Sequence, residues 1–147
     1  MVKFAHQIII MKKTTTLFIA DDDPDDVELF TEAVNEFDES IQCYSAMDGE
    51  EALKKLRAML PALPDIIFLD LNMPRINGKQ CLVEIKKTEK LNVVPVVIYS
   101  TSSIQHDIDE TRRLGAVYFL TKPASFGELC KELSNIISAG QLLPVAE

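Results

Sequence analysis

The chain has 147 residues, of which 47% are hydrophobic and 26% are charged. These proportions are ordinary for one globular domain with its own core, and no apolar run approaches the ~20 residues of a membrane-spanning helix. The formal net charge is −8 and the lysines and arginines are scattered, which argues against direct binding of nucleic-acid phosphates.

The first predicted strand, residues 16–20, is apolar throughout and runs into the acidic stretch 21–26. Within that stretch, Asp23 suits the N-cap of a helix and Pro24 suits its first position. The predicted helix carries apolar residues at helical spacing, namely Val27, Phe30, Val34 and Phe37. Residues 1–14, which precede the strand, are predicted to be an N-terminal tail.

A shorter second strand is predicted over residues 40–45, and a second helix after Asp48, which resembles the N-cap of a capping box with Glu51. Prolines end this helix and lead into residues 65–70, where an apolar run of four ends in Asp70. A short run without a polar face is typical of a strand covered on both sides. We therefore expect this strand at the centre of a parallel sheet.

The second half of the chain continues the same alternation. A loop over residues 71–77 leads into a third helix from Gly78. The fourth strand, residues 96–99, is apolar and ends at Ser100, the first of a run of hydroxyl residues. A fourth helix is predicted at about residues 104–113.

The fifth predicted strand, residues 117–121, is followed directly by Lys122. A capping box that begins at Ser125 starts the last helix. We expect one folded domain over residues 15–138 and a C-terminal tail over 139–147.

Five strands that alternate with five amphipathic helices predict an α/β fold of the flavodoxin-like (βα)5 type. In this fold a parallel sheet lies between two helical layers. With the strand order 2-1-3-4-5, the first and third strands are neighbours where the order reverses. Ligands of open α/β sheets bind outside the carboxyl ends of the strands at that point.

Polar side chains follow four of the strands at these carboxyl ends. They are Asp21 and Asp22 after the first strand, Asp70 after the third, Ser100 at the end of the fourth and Lys122 after the fifth. Three clustered carboxylates repel one another, and a hard cation such as Mg²⁺ relieves that repulsion. An ionised carboxylate, Mg²⁺, a lysine and a hydroxyl are together what phosphoryl transfer to an aspartate requires.

On these residues the chain resembles the receiver domains of response regulators, which are CheY-like proteins. The matching motifs are Asp21-Asp22, Asp70-Leu71-Asn72-Met73-Pro74, Asn77-Gly78, Ser100-Thr101 and Lys122-Pro123. The Asn72-Met73-Pro74 loop and the Asp23-Pro24 helix start are similar to the single-domain subgroup that includes phytochrome-associated regulators.

The resemblance implies a role for each matching residue. Asp70 would accept the phosphoryl group and also ligate Mg²⁺. Asp22 would bind the ion directly, Asp21 through a water molecule, and Asn72 through its backbone carbonyl. Ser100 would bond a phosphoryl oxygen.

Three further expectations follow from the same resemblance. Lys122 would pair with the acyl phosphate, and its bond to Pro123 would be cis, which an X-Pro bond permits at low cost. Ser100 would move toward the phosphate, and Phe119 would then swing inward as the second switch residue.

The resemblance further implies a stand-alone response regulator of a two-component or phosphorelay system, with no enzymatic activity beyond slow self-dephosphorylation. Its partner would be a sensor histidine kinase or a histidine phosphotransfer protein. Signal would leave by protein contact, by homodimer formation or by onward phosphotransfer. We expect a cytoplasmic protein, because Cys43, Cys81 and Cys130 are odd in number and far apart, as free thiols are.

Two other functions stay open at this point. Asp21-Asp22-Asp23 supplies the D-x-D of a haloacid-dehalogenase-type phosphatase, in which Ser100 and Lys122 would also serve. Against it, Pro24 stands where that family prefers Thr or Val, no cap domain is visible and Asp70 would have no role. The other alternative is a docking module that never switches.

Overall fold

The computed structural model of the protein describes residues 15–142, in which five strands alternate with five helices. The predicted tail 1–14 lies outside the described residues. The strands are β1 (Thr16–Ala20), β2 (Gln42–Ala46), β3 (Ile66–Leu69), β4 (Val96–Ser100) and β5 (Tyr118–Thr121). The helices are α1 (Pro24–Phe37), α2 (Gly49–Met59), α3 (Gly78–Lys87), α4 (Gln105–Arg113) and α5 (Phe126–Leu142), and a 3-10 turn, Leu91–Val93, precedes β4.

The five strands form one sheet in the order β2-β1-β3-β4-β5, and every neighbouring pair is parallel. The predicted (βα)5 fold and strand order are therefore confirmed. Strands β3 and β4 are buried along their whole length, because helices cover both faces of the sheet.

Alternate side chains of the strands enter two separate cores. On β1, Phe18 and Ala20 pack with α2 and α3, whereas Leu17 and Ile19 pack with α1 and α5. The two-residue period of a strand explains this division, because successive side chains point to opposite faces. The polar ends of the strands are then left at one edge of a rigid, apolar sheet.

Side chains cap the starts of helices α1, α2 and α3. Asp23 accepts the N–H of Asp25 at 2.9 Å at the start of α1, and Asp48 accepts the N–H of Glu51 at 2.7 Å at the start of α2. A full capping box starts α3, in which Asn77 and Gln80 each bond the backbone of the other. None of the helices in residues 15–142 has the length and apolar character needed to cross a bilayer.

The structure differs from the sequence predictions in three details. Tyr44, assigned to an apolar strand, is 47% exposed because β2 lies at the edge of the sheet. Helix α5 continues to Leu142, past the predicted end near residue 138. The Lys122–Pro123 bond was expected to be cis, which is wrong: within the described chain the cis bond is Leu60–Pro61.

Candidate functional site

Three carboxylates meet at the carboxyl ends of the two central strands. Asp21 and Asp22 follow β1, Asp70 follows β3, and one oxygen from each lies within 4.8 Å of the others. The neighbouring strands fix this arrangement, since the N–H of Asp70 donates to the carbonyl of Ala20 at 2.9 Å. Asp22 is exposed, so the cluster opens to solvent on one side.

The two buried carboxylates resist ionisation in the metal-free protein. Asp70 is 6% exposed, and burial raises its pKa to about 6, against the lowering effect of Lys122 and with a further increase from Asp21. Burial also raises the pKa of Asp21, although Lys122 and the N–H of Asp23 both bond its carboxylate. A bound cation would relieve the cost of ionising both groups.

Lys122 enters the crevice from the end of β5 and bonds two carboxylates. Its ammonium donates to Asp21 at 2.8 Å and to Asp26 at 2.8 Å, and lies 3.9 Å from Asp70. Burial lowers the pKa of Lys122, but the bonds to Asp21 and Asp26 outweigh that effect and raise it overall. The side chain therefore remains a cation at neutral pH, and it also lies 5.2 Å from the ring centre of Tyr99.

Ser100 ends β4 and is fully buried beside β3. Its carbonyl accepts the N–H of Lys122 at 2.7 Å, and its hydroxyl accepts the N–H of Ser102 at 3.2 Å. The N–H of Asn72 lies 3.4 Å from the carboxylate of Asp70. Ser100 is therefore linked by its backbone to Lys122, whereas Asn72 contacts Asp70 itself.

Phe119 lies on β5, opposite Ile98 of β4, and is half-buried. It packs against the core between the sheet and helices α2 and α3, together with Leu114 and Ala116. Phe119 is therefore one strand away from Ser100, which ends β4.

The structure brings Asp21, Asp22, Asp70 and Lys122 together, and Ser100 bonds the backbone of Lys122. The predicted roles of these residues and of Asn72 and Phe119 stay predictions. Sequence reasoning missed Asp26, which was interpreted only as an acid in the first turn of α1. Nothing in the sequence alone pairs it with Lys122, which is 96 residues away.

The donor set fits a hard divalent cation. Oxygen ligands from one or two carboxylates, a carbonyl and water suit Mg²⁺, which rarely has a cage made only of protein atoms. Asp22, Asp70 and the backbone carbonyl of Asn72 can supply such ligands. Because Asp22 is exposed, water can reach this side of the cluster and supply further ligands.

Residues 17–134 match the family described as response regulator receiver domain. The response regulator Rcp1 of Synechocystis sp. is 36% identical over 75 residues, which is 51% of this chain and 51% of Rcp1. The chain spans about half the length of the curated relatives it matches.

Solved structures extend the likeness over most of the chain. The phosphorylated cyanobacterial phytochrome response regulator RcpA is 30% identical, with a TM-score of 0.81 over 88% of this chain and 96% of that one. The Mn²⁺-bound form of Rcp1 is 25% identical, with a TM-score of 0.74 over 88% of this chain and 97% of that one.

Proposed function

Because the chain belongs to the response regulator receiver domain family, we propose that Asp70 accepts a phosphoryl group and thereby switches a protein-interaction surface. The donor is the phosphohistidine of a sensor histidine kinase or a histidine phosphotransfer protein. The observation that carries the proposal is the buried carboxylate of Asp70, which shares a cluster with Asp21 and Asp22 and lies 3.9 Å from Lys122.

The transfer is a displacement at phosphorus. A carboxylate oxygen of Asp70 forms the new P–O bond, the P–N bond of the phosphohistidine breaks, and its electron pair returns to the imidazole. A pKa of about 6 leaves most Asp70 side chains ionised at neutral pH, so the step needs no general base. The proposed roles of the flanking groups are charge neutralisation by Lys122 and hydrogen bonding by Ser100.

The carboxylates supply the proposed metal site. Asp22 and Asp70 bind Mg²⁺ directly, Asp21 binds it through water, and Asn72 adds its backbone carbonyl. When bound, the ion neutralises charge on the transferring oxygens. Support for this assignment comes from the geometry of the three carboxylates and from the Mn²⁺-bound form of the similar Rcp1.

The proposed switch follows from charge. Phosphorylation adds about −1.5 to −2 charges in the crevice, which attracts the hydroxyl of Ser100 and the ammonium of Lys122. Movement of Ser100 opens space beside β5, and Phe119 turns into it. Phosphorylation can select one of two packings of this region if their free energies differ by no more than a few kcal/mol.

The surface next to Phe119 is suited to protein contact. The exposed side chains of Ile104, Val117, Tyr118 and Phe126 are apolar and lie at α4, β5 and the start of α5. We propose that the signal leaves from here, either to a partner protein or through a homodimer. We further propose a cytoplasmic location, for which the three free thiols offer support, and no enzymatic activity of this domain beyond self-dephosphorylation.

Labelling with acetyl phosphate and Mg²⁺ tests the proposal. The parent protein should gain one phosphoryl group by intact mass spectrometry, and Asp70→Asn should gain none, because the nucleophile is gone. Label that persists in Asp70→Asn and disappears in Asp21→Asn would favour a phosphatase of the haloacid dehalogenase type instead. Equal partner binding with and without Mg²⁺ and beryllofluoride would indicate a docking module that does not switch.

A further inference from the structure

Asp26 holds the proposed phosphate-binding lysine from outside the three-carboxylate cluster. Its carboxylate, in the first turn of α1, accepts a hydrogen bond from Lys122 at 2.8 Å, as short as the bond from Lys122 to Asp21. The Lys122 side chain is 11% exposed and the Asp26 side chain 28% exposed, so this ion pair is partly shielded from water. Lys122 therefore hydrogen-bonds Asp21 and Asp26, whereas its ammonium lies 3.9 Å from Asp70, the proposed nucleophile.

Binding of a metal ion should affect the two carboxylates that bond Lys122, Asp21 and Asp26, differently. Asp21 belongs to the cluster that would hold the metal ion, so ion binding weakens its hold on Lys122. Asp26 is not part of that cluster and keeps its hold with or without the ion. A phosphoryl group on Asp70 must therefore compete with Asp26 for Lys122.

We propose that Asp26 is a positioning residue that holds Lys122 away from Asp70 until a phosphoryl group takes it over. This inference rests on the proposed function. Competition for the ammonium and repulsion between Asp26 and the anionic group act in the same direction, since both weaken the phosphorylated form. The cost of release is limited to about that of one charge-assisted hydrogen bond, because the partly exposed Asp26 regains water when Lys122 leaves.

A competing explanation is that the negative charge of Asp26 only stabilises α1, by interacting with the positive N-terminal end of the helix dipole. Asp25 provides the matched control, because it has the same charge, lies in the same turn and is exposed. A dipole effect alone gives the same result at both positions. Positioning through Lys122 gives an effect at Asp26 and none at Asp25.

The test measures binding of beryllofluoride, a phosphoryl mimic, at a fixed Mg²⁺ concentration by calorimetry. Asp26→Asn should bind it about tenfold more tightly than the parent, the scale of one charge-assisted hydrogen bond. Asp25→Asn should match the parent, and Asp26→Glu, which keeps the carboxylate, should lie close to the parent. Unchanged or weaker binding by Asp26→Asn, or an equal gain in Asp25→Asn, would overturn the inference.

A second readout needs neither metal nor phosphoryl mimic. Lysine side-chain ¹⁵N NMR of the metal-free protein should show a shifted ammonium signal for Lys122 in Asp26→Asn but not in Asp25→Asn. An unchanged signal in Asp26→Asn would also overturn the inference. Failure of the parent itself to bind beryllofluoride would instead contradict the proposed function, because that result does not depend on Asp26.

Discussion

The carboxylate of Asp70 is buried, and burial disfavours its ionised form. Asp70 is 6% exposed and its carboxylate lies in a cluster with two others. Lys122 hydrogen-bonds Asp21 of this cluster at 2.8 Å, but its ammonium lies 3.9 Å from Asp70. An ionised group in such surroundings destabilises the metal-free fold. The same conditions make the position a good one for a cation and a phosphoryl group to occupy.

The stability of the metal-free protein should therefore depend on pH through Asp70. Its folded pKa of about 6 exceeds the ordinary value of 3.8, so the folded state retains a proton that the unfolded state has lost. This contribution to the free energy of unfolding falls as pH rises from about 4 to about 6. At pH 7.5 in EDTA, Asp70→Asn should be more stable than the parent by about 3 kcal/mol, since the pKa difference of about two units corresponds to that free energy.

Urea unfolding of both proteins from pH 4 to pH 8 measures this difference. It should be small at pH 4, where folded Asp70 is neutral, and should shrink at pH 7.5 when Mg²⁺ is added. An Asn variant that is less stable than the parent at pH 7.5 in EDTA would show that Lys122 compensates the charge of Asp70 fully.

At the scale of elements, the start of α3 packs directly against the backbone of Asp70, the proposed nucleophile, at the end of β3. A Cβ placed on Gly78 would lie 2.2 Å from the carbonyl oxygen of Asp70 and 2.7 Å from the Cα of Leu71. Both atoms belong to the backbone, so the contact cannot be relieved by a side-chain rotation. Only glycine allows α3 to begin this close to Asp70.

Gly78→Ala should therefore displace α3 or the backbone of Asp70. We expect a loss of about 2 kcal/mol in the free energy of unfolding and weaker binding of Mg²⁺ with beryllofluoride. Gly127→Ala is the control, because no atom lies within 4 Å of its added Cβ and a helical alanine gains about 0.5 kcal/mol over glycine. Equal stability of the two variants in urea unfolding would contradict this account of α3.

Helices α3 and α4 are joined by a polar network that begins near the site. Lys79 of α3 donates to Asp107 at 2.8 Å and to Glu110 at 2.6 Å, both on α4. Asp107 also accepts the hydroxyl of Ser102 at 2.6 Å, and the N–H of Ser102 donates to the hydroxyl of Ser100 at 3.2 Å. These contacts form a continuous chain of hydrogen bonds from Ser100 to α4, and we expect a movement of Ser100 to act on α4 through it.

Lys79→Met should loosen α4, because two carboxylates on that helix lose their shared cation. Hydrogen–deuterium exchange should show faster exchange of the α4 amides in this variant than in the parent. Lys87→Met is the control, since Lys87 is 69% exposed and lies 3.8 Å from Glu84 of its own helix. Identical α4 exchange in both variants would exclude a role for Lys79 in holding α4.

At the scale of the whole molecule, much of the architecture follows from short-range pattern. Apolar runs without a polar face predicted buried strands. The polar residues that follow or end these runs lie at one edge of the sheet, because parallel strands end there. They are Asp21, Asp70, Ser100 and Lys122. Their roles in phosphoryl transfer stay predictions. The family was identifiable for the same reason, since its motifs are the residues at these strand ends.

What the sequence did not predict depends on three-dimensional proximity. The pairing of Lys122 with Asp26 joins residues that no local pattern relates, and so does the link from Lys79 to α4. Tyr44 was assigned to an apolar strand, but exposure of a strand depends on its place in the sheet. The expected cis bond at Pro123 came from resemblance and not from the local sequence.

The central claim is that Asp70, and no other carboxylate of the cluster, forms the acyl phosphate. Borohydride reduces an aspartyl phosphate to homoserine, so treatment after acetyl phosphate and Mg²⁺, followed by peptide mass mapping, identifies the phosphorylated position. We predict homoserine at position 70 and none at position 21 or 22, with no conversion when EDTA replaces Mg²⁺. Homoserine at position 21 or 22, or its absence at position 70 in the presence of Mg²⁺, would contradict the account.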